Sequence, residues 1–457
     1  MCRIKPSHLI SMVAMTFFST LNASGGSREL VSNPMLKSSA SDGVASDWSI
    51  WRPDWAPAGC RIGCTQEGVL MEAGENPYAV GGIFQEIEGI QGGQAYRIKV
   101  QGGIQDLPDP YDTLLVRLLW TQGGNAIHPA GMLIRGPICR GERVEFSDVL
   151  IAPAQADGAR LSLEAKWLRA GSVLWQRASM QPTSTPAKRK VKIGSVYLKP
   201  KRSTPAKNLE LWCRQIDRAG ELDLDIVCLG EVITKVGTPN SFAECAEPIP
   251  GPASKRLGEA ARQNRVWVVA GLIELDGRDI YNTAVLLDRQ GNLAGTYRKV
   301  HLPREEWMKG IRPGNDYPVF ETDFGTIAIQ ICYDWFFPEP ETIFAQQGAE
   351  IIFAPTWGNT LPDAEGCVDG ETVFRVRARD NGVYMVPSVY SGNSLVIGPR
   401  GRILASSQGK EGVFWAEVDL SRREPLPFVG YWRSIGPRHR RHVTFDPLTH
   451  AQGQPNY

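Results

Sequence analysis

Residues 325–340, GTIAIQICYDWFFPEP, constrain the fold of this 457-residue chain more than any other stretch. Residues 326–331 are mostly apolar and β-branched, which is typical of a short buried strand. Cys332 follows where that strand ends and a turn begins. In open α/β sheets this edge collects chemistry, because the loops and helices that follow the strands present side chains and backbone N–H groups there. Taken alone, Cys332 fits a buried core cysteine better than a nucleophile, and the rest of the chain reverses that preference.

The sequence after Lys190 alternates between predicted strands and predicted helices, which indicates a layered α/β domain with buried strands. Apolar runs predict strands at residues 191–198, 224–229, 266–273, 281–288, 326–331, 351–354 and 383–386. Helical spacing of apolar residues predicts helices at residues 206–219 and 254–264.

The sequence before Lys190 has a different pattern of apolar and polar residues. From Trp48 to Met180, short apolar or alternating runs are separated by Gly, Pro and Asp, which favours a β-sandwich of the jelly-roll type. We therefore divide the chain into a leader (residues 1–24), a flexible segment rich in Ser, Gly and Ala (25–46), a β-sandwich accessory domain (47–182), a linker (183–190) and an α/β domain (191–450).

The N-terminus has the layout of a secretory signal peptide. Two basic residues precede the apolar run 9–18, and small residues follow at 19–24. We therefore expect a secreted, periplasmic or cell-envelope protein, and a cytoplasmic one if the leader is not a signal. Export would permit a disulfide between Cys60 and Cys64, which lie four residues apart in a Gly- and Pro-rich stretch.

Composition narrows the classes of function. The chain has 50 basic and 49 acidic residues, so no strong field attracts nucleic acid or an anionic membrane. Its six histidines include no HExxH pair, and its nine cysteines include no CxxC-type zinc spacing. The sequence therefore predicts no metal site and no cofactor.

Three further residues lie in contexts that suit catalysis together with Cys332. Glu231 ends the apolar strand of LDLDIVCLGE, Lys299 follows a strand-like region in GTYRKVHLP, and Glu306 precedes the turn-forming GIRPG. Taken alone, Glu231 and Glu306 fit surface acids better than catalytic groups, and Lys299 is consistent with a surface cation. Together they provide a thiol nucleophile, a carboxylate that takes its proton, and a lysine that stabilises an oxyanion. No histidine lies in a context that suits a Cys–His protease.

The motifs LGE, YRKVHLP and ICYDWFFPE, in this order, resemble those of the nitrilase (carbon–nitrogen hydrolase) superfamily, with its Glu-Lys-Cys triad. The later stretches APTWGN, RARDNGVYMV and SGNSLVIGPRG resemble further blocks of that family, so the resemblance covers residues of about 190 to 420. It implies a four-layer αββα sandwich, commonly dimerised through its outer helices, and therefore a homodimer or a higher homo-oligomer.

The resemblance also implies a role for each matching residue. Glu231 corresponds to the general base, Lys299 to the oxyanion-stabilising cation and Cys332 to the nucleophile. The remaining assignments are Glu306 as the second, substrate-orienting glutamate, the backbone N–H of Tyr333 as an oxyanion donor, and Trp357 and Asp334 as substrate-binding residues.

Glu306 is preferred to its neighbour Glu305 for two reasons. Adjacent side chains of an extended segment face opposite ways, so only one of the two acids enters the site. Glu306 lies eight residues before Gly314, which fits the family-like spacing better.

Two departures from the family pattern affect the expected function. Gly230 occupies the position before the base glutamate, where Pro is frequent, and this small change leaves the role of the carboxylate intact. The sequence after Cys332, YDWFF, lacks the Arg of some relatives, which argues against an N-carbamoyl amino acid as substrate.

We therefore expect a small-molecule amide to acylate Cys332 and release ammonia or an amine, after which water releases the acid. The alternative substrates are a nitrile or an N-carbamoyl amide. A protein of a different class is the other alternative: the β-domain would bind a glycan, a cell-wall ligand or a protein partner, and the α/β domain would be a degenerate scaffold. The presence of Glu231, Lys299 and Cys332 argues against that degeneration.

Overall fold

The structure is a computed structural model that describes residues 28–38, 45–361, 368–423, 425–426, 428–445 and 448. The predicted signal peptide lies outside these residues. Among them, no helix is long and apolar enough to cross a membrane.

The N-terminal region consists of antiparallel strands in two sheets. Its strands are β1 (Ser49–Trp51), β2 (Arg61–Thr65), β3 (Gly68–Glu72), β4 (Gly81–Glu88), β5 (Ala95–Gln105), β6 (Leu114–Gln122), β7 (Asn125–Ala126), β8 (Met132–Leu133), β9 (Ile138–Arg140), β10 (Arg143–Ile151), β11 (Gly158–Ala165) and β12 (Ser172–Thr183), with the short helix α1 (Pro110–Thr113) before β6. One sheet has the order β1-β4-β11-β6-β7 with β8 beside β6, and the other has the order β2-β3-β12-β5-β10-β9.

The two N-terminal sheets share one hydrophobic core. Alternate residues of the strands are buried, as in β11, where Leu161 and Leu163 are fully buried and Arg160 is exposed. The same cluster contains Ile98 and Trp175 from the other sheet. Alternation with a period of two places apolar side chains on the inner face and polar side chains on the outer one.

Residues 28–38 do not form the flexible segment that their composition predicts. Leu36 is fully buried in the core of the N-terminal sheets. Glu29 accepts hydrogen bonds from the Ser179 hydroxyl at 2.6 Å and the Met180 backbone at 2.8 Å. A few anchoring side chains thus fix this part of the segment 25–46, which as a whole is rich in Ser, Gly and Ala.

Cys60 and Cys64 are both free, so the predicted disulfide is absent. Cys60 directly precedes β2, and Cys64 is the fourth residue of that strand. Four residues along an extended strand span roughly 13 Å, whereas the Cα atoms of a disulfide lie within about 7 Å of each other. The strand geometry therefore rules out this bridge.

The second region forms two main sheets. Its strands are β13 (Lys190–Tyr197), β14 (Ile226–Cys228), β15 (Trp267–Asp276), β16 (Asp279–Leu287), β17 (Leu293–Arg298), β18 (Ile311–Arg312), β19 (Val319–Glu321), β20 (Thr326–Ile329), β21 (Ile351–Pro355), β22 (Thr360–Leu361), β23 (Val368–Asp369), β24 (Tyr384–Ser388), β25 (Leu395–Ile397), β26 (Ile403–Ser406) and β27 (Gly412–Asp419). The orders are β17-β16-β15-β14-β13-β27, with β18 beside β16, and β19-β20-β21-β24-β25-β26. Strands β22 and β23 pair with each other.

Helices cover these sheets. They are α2 (Pro205–Glu221), α3 (Phe242–Cys245), α4 (Pro252–Asn264), α5 (Arg304–Trp307), α6 (Glu339–Gln346), α7 (Gly370–Asn381) and α8 (Trp432–His439). Helix α2 begins after Thr204, whose hydroxyl accepts a hydrogen bond from the Lys207 N–H, and Pro205 occupies its first position. Its apolar stripe, including Trp212 and Ile216, packs with α4 against the sheet that contains β13 to β16.

Hydrogen bonds as well as apolar contacts join the two main sheets of the second region. A second cluster contains side chains from both, such as Ile193 of β13 and Phe353 of β21. The buried Ser195 hydroxyl of β13 donates to the Pro387 carbonyl at 2.6 Å, and the Ser388 hydroxyl of β24 donates to the Val196 carbonyl at 2.6 Å. These reciprocal bonds fix the distance and register between the sheets.

The predicted strands are present, with bounds that differ by a few residues. The largest relevant shift concerns the strand before the cysteine, which ends at Ile329. Cys332 begins a 3₁₀ helix, Cys332–Phe336, and has a φ of +43°. A positive φ is uncommon for a residue with a side chain, so Cys332 occupies a strained strand-to-helix turn.

Glu341 is a buried carboxyl that the fold holds close to Gln330 and Arg377. It is fully buried, accepts a hydrogen bond from Gln330 at 2.9 Å and lies 3.7 Å from the Arg377 guanidinium. Burial, only partly offset by these partners, raises the pKa of Glu341 from 4.5 to about 8. The folded protein therefore holds a proton here that the unfolded chain loses near pH 4.5.

We expect this proton to make the stability pH-dependent. Because the pKa of Glu341 is raised in the folded state, its contribution is present below pH 4.5 and is lost as the pH rises to about 8. Glu341→Gln should remove that loss, which amounts to a difference in unfolding free energy on the order of 5 kcal/mol between the two ends of the range. Urea unfolding of both proteins across this range measures it, and parallel pH profiles would contradict it.

Candidate active site

Glu231 lies just beyond the carboxyl end of β14. Backbone bonds from Leu229 to Val269 and from Gly271 to Gly230 continue the pairing with β15 past the strand itself. A Cβ at Gly230 would lie 2.3 Å from the Tyr390 hydroxyl oxygen, which explains why a residue without a side chain stands there. The Tyr390 hydroxyl donates to the Glu231 carbonyl, so this packing fixes the backbone that carries the carboxylate.

Lys299 connects the two glutamates identified from the sequence. It follows β17 and is 1% exposed. Its Nζ donates to Glu231 Oε1 at 2.9 Å and to Glu306 Oε1 at 2.8 Å. Burial alone would lower the pKa of Lys299, but the charges of Glu231 and Glu306 outweigh it and hold the pKa above its ordinary value. The lysine is therefore a permanent cation in this site.

Asn282 is a site residue that the sequence reasoning missed. It is fully buried on β16, and its amide donates to Glu231 Oε1 at 2.8 Å and to Glu306 Oε1 at 3.1 Å. The backbone carbonyl of Asn282 also accepts a hydrogen bond from the Lys299 backbone N–H at 2.9 Å. A polar residue inside the apolar run NTAVLL was the available signal, because a buried amide needs partners.

The Cys332 thiol is neutral in this environment. Part of the residue is open to solvent, yet protein surrounds the thiol, and this burial raises its pKa. The charge of Glu231 raises that pKa further, whereas Lys299 and a hydrogen bond from the Trp357 backbone lower it. A neutral thiol beside a carboxylate is suited to general-base activation at the moment of attack.

The acid that turns inward is Glu306, although the reason given from the sequence is wrong. Residues 304–307 form the short helix α5 and not an extended segment. Glu306 is 8% exposed, whereas Glu305 is exposed to solvent. Successive residues of a helix point about 100° apart, which still separates the two carboxylates. Burial and the charge of Glu231, opposed by Lys299, raise the pKa of Glu306 to about 6.

Asp334 is not placed to contact substrate, which corrects the expectation from the sequence. It is fully buried. One oxygen accepts the Tyr297 hydroxyl at 2.8 Å and the Ile331 N–H at 2.9 Å, and the other lies 2.9 Å from both the backbone nitrogen and Nδ1 of His301. These bonds tie the turn at Cys332 to the segment that carries Lys299, so Asp334 positions the nucleophile.

Trp357 and Tyr333 lie beside Cys332. Trp357 follows β21, is 49% exposed, and packs its ring edge-on against Tyr390 with the centroids 5.5 Å apart. Tyr333 is the second residue of the 3₁₀ helix, where a backbone N–H has no partner within the helix. Across the described parts of the chain, no group of three or more His, Cys, Asp or Glu residues is arranged to hold a metal ion.

The fold and this site define a class of protein. Residues 192–428 match the model of the carbon–nitrogen hydrolase family, so the chain belongs to that family. It is an enzyme of the nitrilase superfamily, a carbon–nitrogen hydrolase of the amidase type. The matched segment begins after the two N-terminal sheets.

Individual relatives agree with this assignment. A probable nitrilase of Schizosaccharomyces pombe is 32% identical over 255 residues, which are 52% of this chain and 92% of that protein. The omega-amidase of Homo sapiens is 29% identical over 255 residues, 51% of this chain and 91% of that one. Among solved structures, Nit3 of Saccharomyces cerevisiae, a member of branch 10 of the superfamily, aligns at 27% identity with a TM-score of 0.46 over 51% of this chain and 93% of its own.

Proposed function

We propose that the protein hydrolyses the C–N bond of a small amide through a thioester on Cys332. The observation that carries this proposal is the placement of the Lys299 ammonium between two carboxylates, 2.9 Å from Glu231 and 2.8 Å from Glu306, with its charge acting on the Cys332 thiol. Burying a lysine with two carboxylates costs desolvation free energy that the pairing often does not repay, so this arrangement is more typical of a functional site than of a structural ion pair.

In the first half-reaction, Glu231 takes the thiol proton while the Cys332 sulfur attacks the carbonyl carbon. Lys299 and the Tyr333 backbone N–H stabilise the oxyanion of the tetrahedral intermediate. When the intermediate collapses, the C–N bond breaks and Glu231 returns the proton to the departing nitrogen. Ammonia or an amine leaves, and the acyl group remains on sulfur as a thioester.

In the second half-reaction, water replaces the departed nitrogen. Glu231 accepts a proton from this water as its oxygen attacks the thioester carbonyl, and Lys299 again stabilises the oxyanion. Collapse breaks the C–S bond, returns the proton to the sulfur and releases the carboxylic acid. Glu306, held by Lys299 and Asn282, orients the substrate in both steps.

An uncharged amide is the substrate class that the residues favour. Trp335, Phe336 and Phe337 follow the nucleophile turn where a carboxylate-binding Arg would stand, so an N-carbamoyl amino acid is disfavoured. The omega-amidase relative favours an amide, whereas the probable nitrilase keeps a nitrile as the second candidate. Ammonia release from matched amide, nitrile and N-carbamoyl substrates tests this order. Turnover of the nitrile alone would reverse it, and no turnover of any would support a binding protein with a degenerate hydrolase scaffold.

Glu306→Ala should reduce kcat/KM by about 100-fold, because the carboxylate that orients the substrate is lost. Glu305→Ala, which changes the exposed neighbour, should remain near the wild-type value. Since the pKa of Glu306 is about 6, wild-type activity should rise as the pH passes that value and the carboxylate ionises. Steady-state kinetics across pH measure both effects, and a large loss confined to Glu305→Ala would reverse the assignment.

We also propose finer structural assignments. Helices α2 and α4 on one sheet, and α6 and α7 beside the other, support the four-layer αββα sandwich of this family. Assembly as a homodimer or higher homo-oligomer, and export through a cleaved leader, follow from the family resemblance and from the sequence of residues 1–24. Light scattering and N-terminal sequencing of the mature protein test these two proposals.

The N-terminal region is proposed to be an accessory β-sandwich that contributes positioning or binding of a glycan or cell-wall ligand, but no chemistry. The two sheets formed by β1 to β12, which share a core, support this proposal. Residues 188–457 expressed alone should keep activity on a small soluble amide. If that shortened chain has native secondary structure by circular dichroism yet is inactive, the β-region helps to build the active site.

A further inference from the structure

A cavity of about 580 Å³ lies between the N-terminal region and the hydrolase region. Its floor includes Thr326, Glu350 and Tyr384, which stand at the N-terminal ends of the parallel strands β20, β21 and β24. Cys332 lies beyond the opposite ends of these strands. Six residues of strand separate Thr326 from Cys332, a distance of roughly 20 Å. The cavity is therefore separate from the candidate active site.

The wall of this cavity is strongly basic. Eight arginines and two glutamates line it. Two carboxylates pair with three of these arginines. Asp148 binds Arg423 through two bonds of 2.9 Å and lies 3.7 Å from Arg135. Glu350 binds Arg189 at 3.0 and 2.6 Å and acts on Arg433 only at longer range.

Two further arginines are held by neutral groups. Arg433 donates to the Gly348 and Ala349 carbonyls at 2.8 and 2.9 Å, and no carboxylate of the described residues lies within 4.0 Å of it. Arg438, 4% exposed, donates to the Tyr111 and Leu114 carbonyls at 3.1 and 2.9 Å. Carbonyl partners fix these guanidinium groups without neutralising them, so the cavity keeps an excess of positive charge.

The arginines also repel one another. Arg433 lines the cavity and is exposed to solvent. Partial desolvation by the surrounding protein lowers its pKa, and the nearby Arg189, Arg135 and Arg423 lower it further, against the attraction of Glu350. The electrostatic free energy of like charges held together in this way falls when an anion enters between them.

We propose that this cavity binds a small polyanion, a molecule with two or more phosphate, sulfate or carboxylate groups. Guanidinium groups bind such groups through paired N–H donors, and the volume is that of a small-molecule site. Arg135 comes from the N-terminal region, whereas Arg189 directly precedes β13 and Arg433 lies on α8. The bound anion therefore bridges the two regions and stabilises their contact. This role is independent of C–N hydrolysis.

Calorimetry and thermal unfolding of the full chain at an ionic strength of about 0.15 M test the proposal. The probes are inorganic triphosphate, citrate and a disulfated disaccharide, with the unsulfated disaccharide as the neutral control. At least one polyanion should bind with one-to-one stoichiometry and raise the unfolding temperature. The probe that binds most tightly identifies the anionic group. Failure of all three polyanions to bind would overturn the proposal.

Variants locate the binding. The Arg135 side chain is 72% exposed, so Arg135→Glu is expected to fold and should weaken binding by about tenfold or more. Arg433→Gln should weaken it as well. Arg218→Glu, which changes an arginine of similar exposure on α2, should leave binding unchanged, as should Cys332→Ala. Equal losses in Arg135→Glu and Arg218→Glu would mean non-specific attraction, and loss of binding in Cys332→Ala would place the anion in the active site. Either result would overturn the proposal.

Discussion

Cys332→Ala should abolish amide hydrolysis while the protein remains folded. The change removes only the sulfur at a position already held by its backbone, since the 3₁₀ helix and the bonds of Asp334 to Ile331 and His301 fix the turn. Without the thiol no acyl-enzyme forms, and the remaining groups provide only the modest acceleration of a preorganised site, so kcat should fall by at least about 10⁴-fold. Initial rates of ammonia release measure the loss.

The same prediction specifies a covalent intermediate. Wild-type protein mixed with substrate and quenched early should gain the mass of the acyl group, and peptide mapping should place it on Cys332. Cys64→Ala is the matched control, because Cys64 is also partly exposed but lies on β2 of the N-terminal region. Substantial activity in Cys332→Ala, or an adduct that Cys64→Ala removes, would show that another residue is the nucleophile.

The sequence predicted the parts of this fold that depend on local pattern. The strands of the hydrolase region are continuous apolar runs because both of their faces are buried, and such runs are visible without any contact information. Glu231 and Cys332 were identifiable because each interrupts or follows such a run at its carboxyl end. Lys299 follows a strand in the same manner.

Features that depend on tertiary contacts could not be predicted in this way. Asn282 is a site residue only because β16 brings its amide to the two glutamates that Lys299 joins. Asp334 is close in sequence to the nucleophile, but its oxygens accept hydrogen bonds from Tyr297 and His301, which are more than thirty residues away in the sequence. The Ser-, Gly- and Ala-rich composition of residues 25–46 predicted flexibility, whereas Leu36 is buried in a core that exists only after the sheets have formed.

Lys299→Met should reduce kcat by at least about 10³-fold and change KM much less. The loss of one preorganised oxyanion donor typically costs 10²- to 10³-fold, and here the same change also removes the cation between Glu231 and Glu306. Two carboxylates would then share only the amide of Asn282. Because Lys299 lowers the pKa of Glu306, its removal should raise that pKa, and residual activity should need a higher pH than the wild type.

Methionine suits this test because its unbranched, flexible chain fills nearly the same buried space, so lost activity reflects the lost charge. Lys190→Met is the control, since Lys190 is 59% exposed and pairs with Glu417 on the surface; its kinetics should match the wild type. Circular dichroism and the unfolding temperature verify that the Lys299 variant is folded. The charge is needed chiefly when the oxyanion develops, so its loss must appear in kcat. A folded Lys299→Met protein with unchanged kcat and a raised KM would assign the lysine to substrate binding and remove it from the catalytic set.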